Sequence, residues 1–121
     1  MRLFIILGSI SAALSVAAGA FGAHALRARI EPRMLEVFET GARYQMYHAL
    51  ALFLVAWMVD RGMQAGAAGW LFVAGTLLFS GSLYTMAFTG VRGLGAVTPF
   101  GGLCFLAGWV WVAVVAVRSG R

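Results

Sequence analysis

Lysine is absent from this chain of 121 residues, cysteine occurs once, and four carboxylates stand against nine arginines. Each shortage closes a route. Cys104 cannot form an intrachain disulfide, and with no Cys or His near it at ligand spacing it marks no metal site; we read it as a small packing residue. No Asp lies inside an apolar run, and there is no HExxH, no paired carboxylates and no serine, histidine and acid set in evident order. No enzyme is therefore expected, since acid or base work could fall only to His24, His48 or Glu39. The net charge is +5, yet the arginines are scattered through the gaps between apolar runs, which argues against a nucleic-acid partner.

What the chain has in abundance is apolar sequence. A hydrophobic content of 62% and a mean hydropathy of +0.90 lie beyond the range of soluble domains. We expect a single membrane domain over residues 1–121. Four apolar stretches, at about 3–22, 42–59, 69–88 and 99–117, alternate with charged gaps. A hydrocarbon core ~30 Å thick needs ~20 helical residues, and the second stretch is short of that unless it reaches back to about Gly41 from the Asp60-Arg61 stop. That extension carries Tyr44, Gln45 and His48, with Arg43 beside them, to or below the interface. Just before it, Pro32 suits a first helical position. Met34, Leu35, Phe38 and Ala42 fall at helical spacing opposite Glu36, Glu39 and Thr40, predicting an amphipathic helix along the interface at about 32–42. The fold expected is an all-α integral membrane protein, a four-transmembrane-helix bundle with a short amphipathic interfacial helix after the first span.

Small residues carry the packing signal. Gly8, Ser11, Ser15, Gly19 and Gly22 recur at steps of three and four and draw one stripe down the first span, letting another helix approach closely. Arg2 and the small-x-small sites near Gly19 and His24 also suit a signal peptide, but a stripe through the whole helix favours an uncleaved span. Ser80 with Thr76 and Tyr84, and Gly101 with Cys104 and Gly108, repeat the pattern in the third and fourth spans. Thr98-Pro99 reads as an N-cap followed by a first-turn proline, and residues 89–98 are either an external loop or a partly re-entrant segment. Four spans put both termini on one side, with Trp57 and Trp70 belting that side and Tyr44, Tyr47 and Tyr84 the other. Arg2, Arg61, Arg118 and Arg121 nearly balance Arg27, Arg29, Arg33, Arg43 and Arg92. Only Arg2 ahead of the first span favours cytoplasmic termini.

Four segments, GAFGAHALR at 19–27, ETGARYQMYHALALF at 39–53, SGSLY at 80–84 and VTPFGGLCFLAGW at 97–109, resemble in order the domain of unknown function 423 family. These are small proteins of the bacterial inner membrane with eukaryotic relatives known as transmembrane protein 256. The resemblance covers nearly the whole chain and implies a multi-pass helical protein of the bacterial inner (plasma) membrane. It implies no substrate, cofactor or catalytic residue.

The candidate site comes from the residues themselves. Gly41, Tyr44, Gln45 and His48 share one helical face, and such a polar stripe should face the bundle and not lipid. His24, Arg27 and Arg29 end the first span at a similar depth, so the two histidines are expected near each other. Three readings follow for Arg43, Tyr44, Gln45, His48, His24 and Arg27: a hydrogen-bonded clamp between the first two spans, a site for an anionic lipid head group, or a His24–His48 metal or haem site. The function expected is a non-catalytic lipid-binding or accessory/scaffold role with no cofactor. Its partners would be membrane lipids and either a second copy or a larger membrane complex. A small ion or solute channel or transporter is the alternative.

Overall fold

A computed structural model describes residues 2–120; Arg121, counted above on the terminal side, lies outside them. Helix α1 covers Arg2–Phe21 and runs on through a π turn at Gly22–Leu26, α2 covers Pro32–Asp60, and α3 covers Gly66–Gly75. A second π turn at Thr76–Ser80 joins α3 to α4, Gly81–Thr89; a 3-10 turn at Arg92–Ala96 leads into α5, Thr98–Ser119. No strand occurs among the described residues. Local chemistry sets the ends. Pro32 opens α2 at its first turn, where a missing N–H costs nothing. Gly62 and Gly90 adopt φ of 85° and 72° just after α2 and α4, the left-handed conformation that closes a helix and that side chains resist.

Three helical stretches, Arg2–Leu26, Gly66–Thr89 and Arg92–Ser119, are long and apolar enough to cross a membrane. At 29 residues, ~43 Å, α2 is longer than a bilayer core, but Arg43, Gln45 and His48 in its middle keep it out of that apolar class. The expected interfacial helix at 32–42 is not a separate element. It is the first part of α2, because its apolar face is already covered: Leu35 and Phe38 pack with Leu26 and Ala87, and Met34 packs with Leu83 and Met86. With that face buried inside the protein, nothing draws the segment flat onto a membrane.

The long helix is the centre of the molecule. Antiparallel to it, α1 lies with Gly8 against the Ala49 carbonyl and Leu52 and with Gly22 against the Phe38 ring. On another side α2 meets the α3–α4 rod, and α5 packs along that rod. Below the middle of the bundle Phe4, Leu52, Val55, Phe72, Phe105 and Val115 share one apolar core.

Glycines do two different jobs in this packing. At Gly8 and Gly101 they admit a neighbouring backbone: a Cβ on Gly8 would stand 3.0 Å from the Ala49 oxygen, and one on Gly101 would strike the Phe79 backbone where the π turn bulges towards α5. At Gly75 and Gly108 they are sockets for rings, since a Cβ would come within 2.5 Å of Phe105 and 2.6 Å of Phe72 respectively. Gly19 does neither, which corrects its place in the stripe. Nothing lies within 4 Å of its missing Cβ, and it borders a hollow of ≈ 410 Å³ edged by Glu39, Arg43 and Met46.

Thr98 also departs from expectation. It makes no N-cap bond; its hydroxyl pairs instead with Ser82 Oγ at 2.6 Å, tying the start of α5 to α4. The linker forms a 3-10 turn whose Leu94 packs against the cluster of Met34, Leu83 and Met86.

Candidate functional site

The polar stripe of α2 is bonded from three directions. Ser15 of α1 donates to the Ala42 carbonyl at 2.7 Å, and Ser80 donates to the Gly41 carbonyl at 2.6 Å. Gly41 permits the second contact, since the Tyr84 ring lies where its side chain would begin. One turn on, Gln45 spans the bundle. Its amide Nε2 donates to Ser11 of α1, at 3.2 Å to the carbonyl and 3.3 Å to Oγ, and its Oε1 accepts the Tyr84 hydroxyl of α4 at 2.6 Å. The side chains of Ser11 and Ser15 are therefore bonding partners as well as small residues. Tyr84 is half-buried and turns its hydroxyl inward to Gln45.

His48 completes the series. Its Nδ1 lies 2.8 Å from the Tyr44 carbonyl, which only accepts, so the proton sits on Nδ1. Nε2 is then the lone-pair nitrogen, and Trp109 Nε1–H of α5 donates to it at 3.0 Å. Both nitrogens of the neutral ring are satisfied. Phe105 stacks flat on it with centroids 3.5 Å apart. No buried side-chain nitrogen or oxygen among the described residues lacks a hydrogen-bond partner, as a bundle in hydrocarbon requires.

The six residues singled out from sequence separate into three places. Gln45 and His48 are buried in the clamp. Arg43 and Tyr44 are exposed on α2, the first edging the hollow beside α1 and the second facing α5. His24 and Arg27 are exposed at and just after the π turn that ends α1. Gly22 packs on Phe38, so His24 lies beyond the level of Phe38, and ~15 Å of helix separates that level from His48. The expected meeting of the two histidines does not occur, because antiparallel pairing carries the end of α1 towards the start of α2. Among the described residues no group of three or more His, Cys, Asp or Glu could hold a metal ion.

A groove remains beside the clamp. Between α2 and α5 lies a space of ≈ 750 Å³ lined by Tyr44, Tyr47, Phe79, Leu103, Leu106 and Trp109, with His48 and Phe105 in its walls. The Phe79 ring stands next to Tyr44 of α2 and Phe105 of α5, with centroids 4.8 and 5.4 Å away, and the two helices are linked by the Trp109–His48 bond. Sequence reasoning missed Trp109 and Phe105 as partners of His48, since nothing local ties residues 61 positions apart. Only the presence of a buried histidine signalled that a partner was needed.

An all-helical membrane protein with a polar, hydrogen-bonded interior is the class these observations define. The sequence profile of the family described as "Protein of unknown function (DUF423)" matches residues 18–102. The UPF0382 membrane protein YwdK of Bacillus subtilis (strain 168) is 50% identical over 121 residues, 98% of each chain. UPF0382 membrane proteins of Staphylococcus aureus (strain bovine RF122 / ET3-1) and Staphylococcus haemolyticus (strain JCSC1435) are 42% and 44% identical over 98% and 94% of each chain. The chain belongs to the DUF423 family, whose function is unknown, and these bacterial relatives are named membrane proteins. No solved structure matches it.

Proposed function

We propose that the chain crosses the membrane four times, with α2 as the fourth span, and serves without catalysis as a lipid-binding or accessory membrane protein with both termini on the cytoplasmic side. The observation that carries this reading is the full engagement of Gln45 and His48, the buried part of the polar stripe. Gln45 and His48 spend every strong donor and acceptor on neighbouring backbone and side chains, which lets a helix with polar residues lie in hydrocarbon. It also removes the residues best suited to chemistry, because a histidine with both nitrogens engaged is neither a ready base nor a metal ligand. The same closure weighs against a channel, since a conduction path needs polar groups facing an open passage. What is left for a ligand is surface: an aromatic groove and an arginine near its rim.

Cysteine-accessibility mapping tests the topology. Single cysteines at Gln64 and Ser119 should be labelled from one side of the membrane, and one at Arg29 from the other. Gln64 and Arg29 labelled from the same side would remove α2 as a span. Lipid binding is tested by extracting the protein in native lipid and identifying what remains bound after purification; a lipid-free protein that keeps its fold would remove that part of the reading.

A further inference from the structure

We propose that the groove between α2 and α5 holds one anionic phospholipid, with an acyl chain along its aromatic wall and the phosphate at Arg43. This rests on the lipid-binding reading above and gives it a place. The volume of ≈ 750 Å³ falls within the range of small-molecule sites, and none of the lining residues is charged. The polar ring atoms in the wall are already used, since Trp109 Nε1–H and His48 Nε2 bond each other. The interior thus offers carbon and ring faces, which suit a hydrocarbon chain and give a polar solute nothing in exchange for its water.

The groove opens sideways. Leu103 and Leu106 on its rim are 61% and 64% exposed, in the middle of a helix apolar enough to cross the membrane, so the opening lies at the depth of lipid tails. Its upper mouth is at Pro99, in the first turn of α5, beside Tyr44 and Tyr47. Arg43 is exposed one turn before Tyr47, standing between the groove and the hollow beside α1 that it edges with Glu39. Its long side chain can extend along the helix to the interface, where a guanidinium matches phosphate oxygens. A cation beside the mouth of an uncharged groove is the charge pattern of an anionic amphiphile. A second copy fits this pattern poorly, because it would have to bring a carboxylate to Arg43. The chain's four carboxylates are Glu31, Glu36 and Glu39, before or early in α2, and Asp60 at its end, and none lines the groove.

Gly102 makes the idea testable. It lines the groove, and a Cβ there would meet nothing within 4 Å, so Gly102→Phe starts a ring into the space without a clash at its first atom. Gly81→Phe adds the same bulk at a glycine that is equally open but away from the groove. The full chain and its variants are placed in nanodiscs of equal dioleoylphosphatidylglycerol and dioleoylphosphatidylcholine, and lipid retained after release is counted by native mass spectrometry. The wild type should keep one lipid with about a fivefold preference for phosphatidylglycerol, the scale of one arginine at an anionic surface. Arg43→Gln should lose the preference, Gly102→Phe should lose the lipid, and Gly81→Phe should match the wild type. If Gly102→Phe melts early, Leu103→Trp on the lipid-facing rim replaces it. Wild-type retention in both Arg43→Gln and the groove-filling variant would overturn the groove site while leaving lipid binding standing. No retained lipid in the wild type would overturn both. A lipid-free wild-type dimer that Gly102→Phe converts to monomer would assign the groove to a second copy and overturn the proposal.

Discussion

The seam between α1 and α2 and the gap between α2 and α5 are built from similar apolar helices, yet they are opposites. Along the seam, Gly8 meets backbone, and Ser11 and Ser15 bond Gln45 and the Ala42 carbonyl. Across the gap runs the bond from Trp109 to His48, with the rings of Phe79 and Phe105 in its walls. In lipid, apolar contact between helices has no advantage over contact with tails, so close packing and hydrogen bonds decide which helices join. The seam has both and closes. The gap is walled by bulky rings, with no small-residue stripe pressed against the facing helix, and stays open to a ligand.

The comparison breaks first at Gly8. Gly8→Leu should cost ~3 kcal/mol or more, because the added atoms meet a carbonyl that cannot move aside, whereas Gly19→Leu should leave the melting temperature in detergent almost unchanged. Equal melting of the two variants would mean that α1 does not lie on α2 as described. Gln45→Leu comes next, at ~1–3 kcal/mol, since Tyr84 Oη and Ser11 lose their shared partner; Gln45→Glu, which keeps the acceptor for Tyr84 but removes the amide donors, should also lower the melt. On the gap side, Trp109→Phe should cost only ~1 kcal/mol, the usual scale of a hydrogen bond between membrane helices. A loss there larger than that of Gln45→Leu would show the gap, not the seam, to be the main fastening. Smallest of all, Gly102→Phe should shift stability by less than ~0.5 kcal/mol and reveal itself only in bound lipid.

Much of the fold was legible because its signals are local. Pro32 marks the start of α2, and the step of three and four residues from Gly8 to Ser15 marks the face that α1 turns to its partner. Apolar runs of the right length are visible without knowing what they touch. The segment at 32–42 shows where such local signals stop. Met34, Leu35 and Phe38 show that one face will be buried, but not whether membrane or protein will bury it. Gly19 and Gly8 look alike in sequence, and only the path of α2 decides that one is pressed against a carbonyl and the other faces a hollow.

The site was half legible. That Gln45 and His48 need partners follows from the cost of an unbonded polar group in hydrocarbon. Who the partners are does not, because Ser11, Tyr84 and Trp109 come from other helices, and local spacing says nothing of how helices are arranged around one another. By itself, the sequence determined the class of protein, the helical rods and the stripe of α2 that had to be satisfied, all consequences of composition and of the 3.6-residue period. The tertiary structure decided that His24 and His48 stay apart, that Gln45 and His48 are taken up by a clamp, and that an uncharged groove is left beside Arg43. Those outcomes depend on the register and rotation of whole helices, which are set by many weak contacts acting together and not by any one residue.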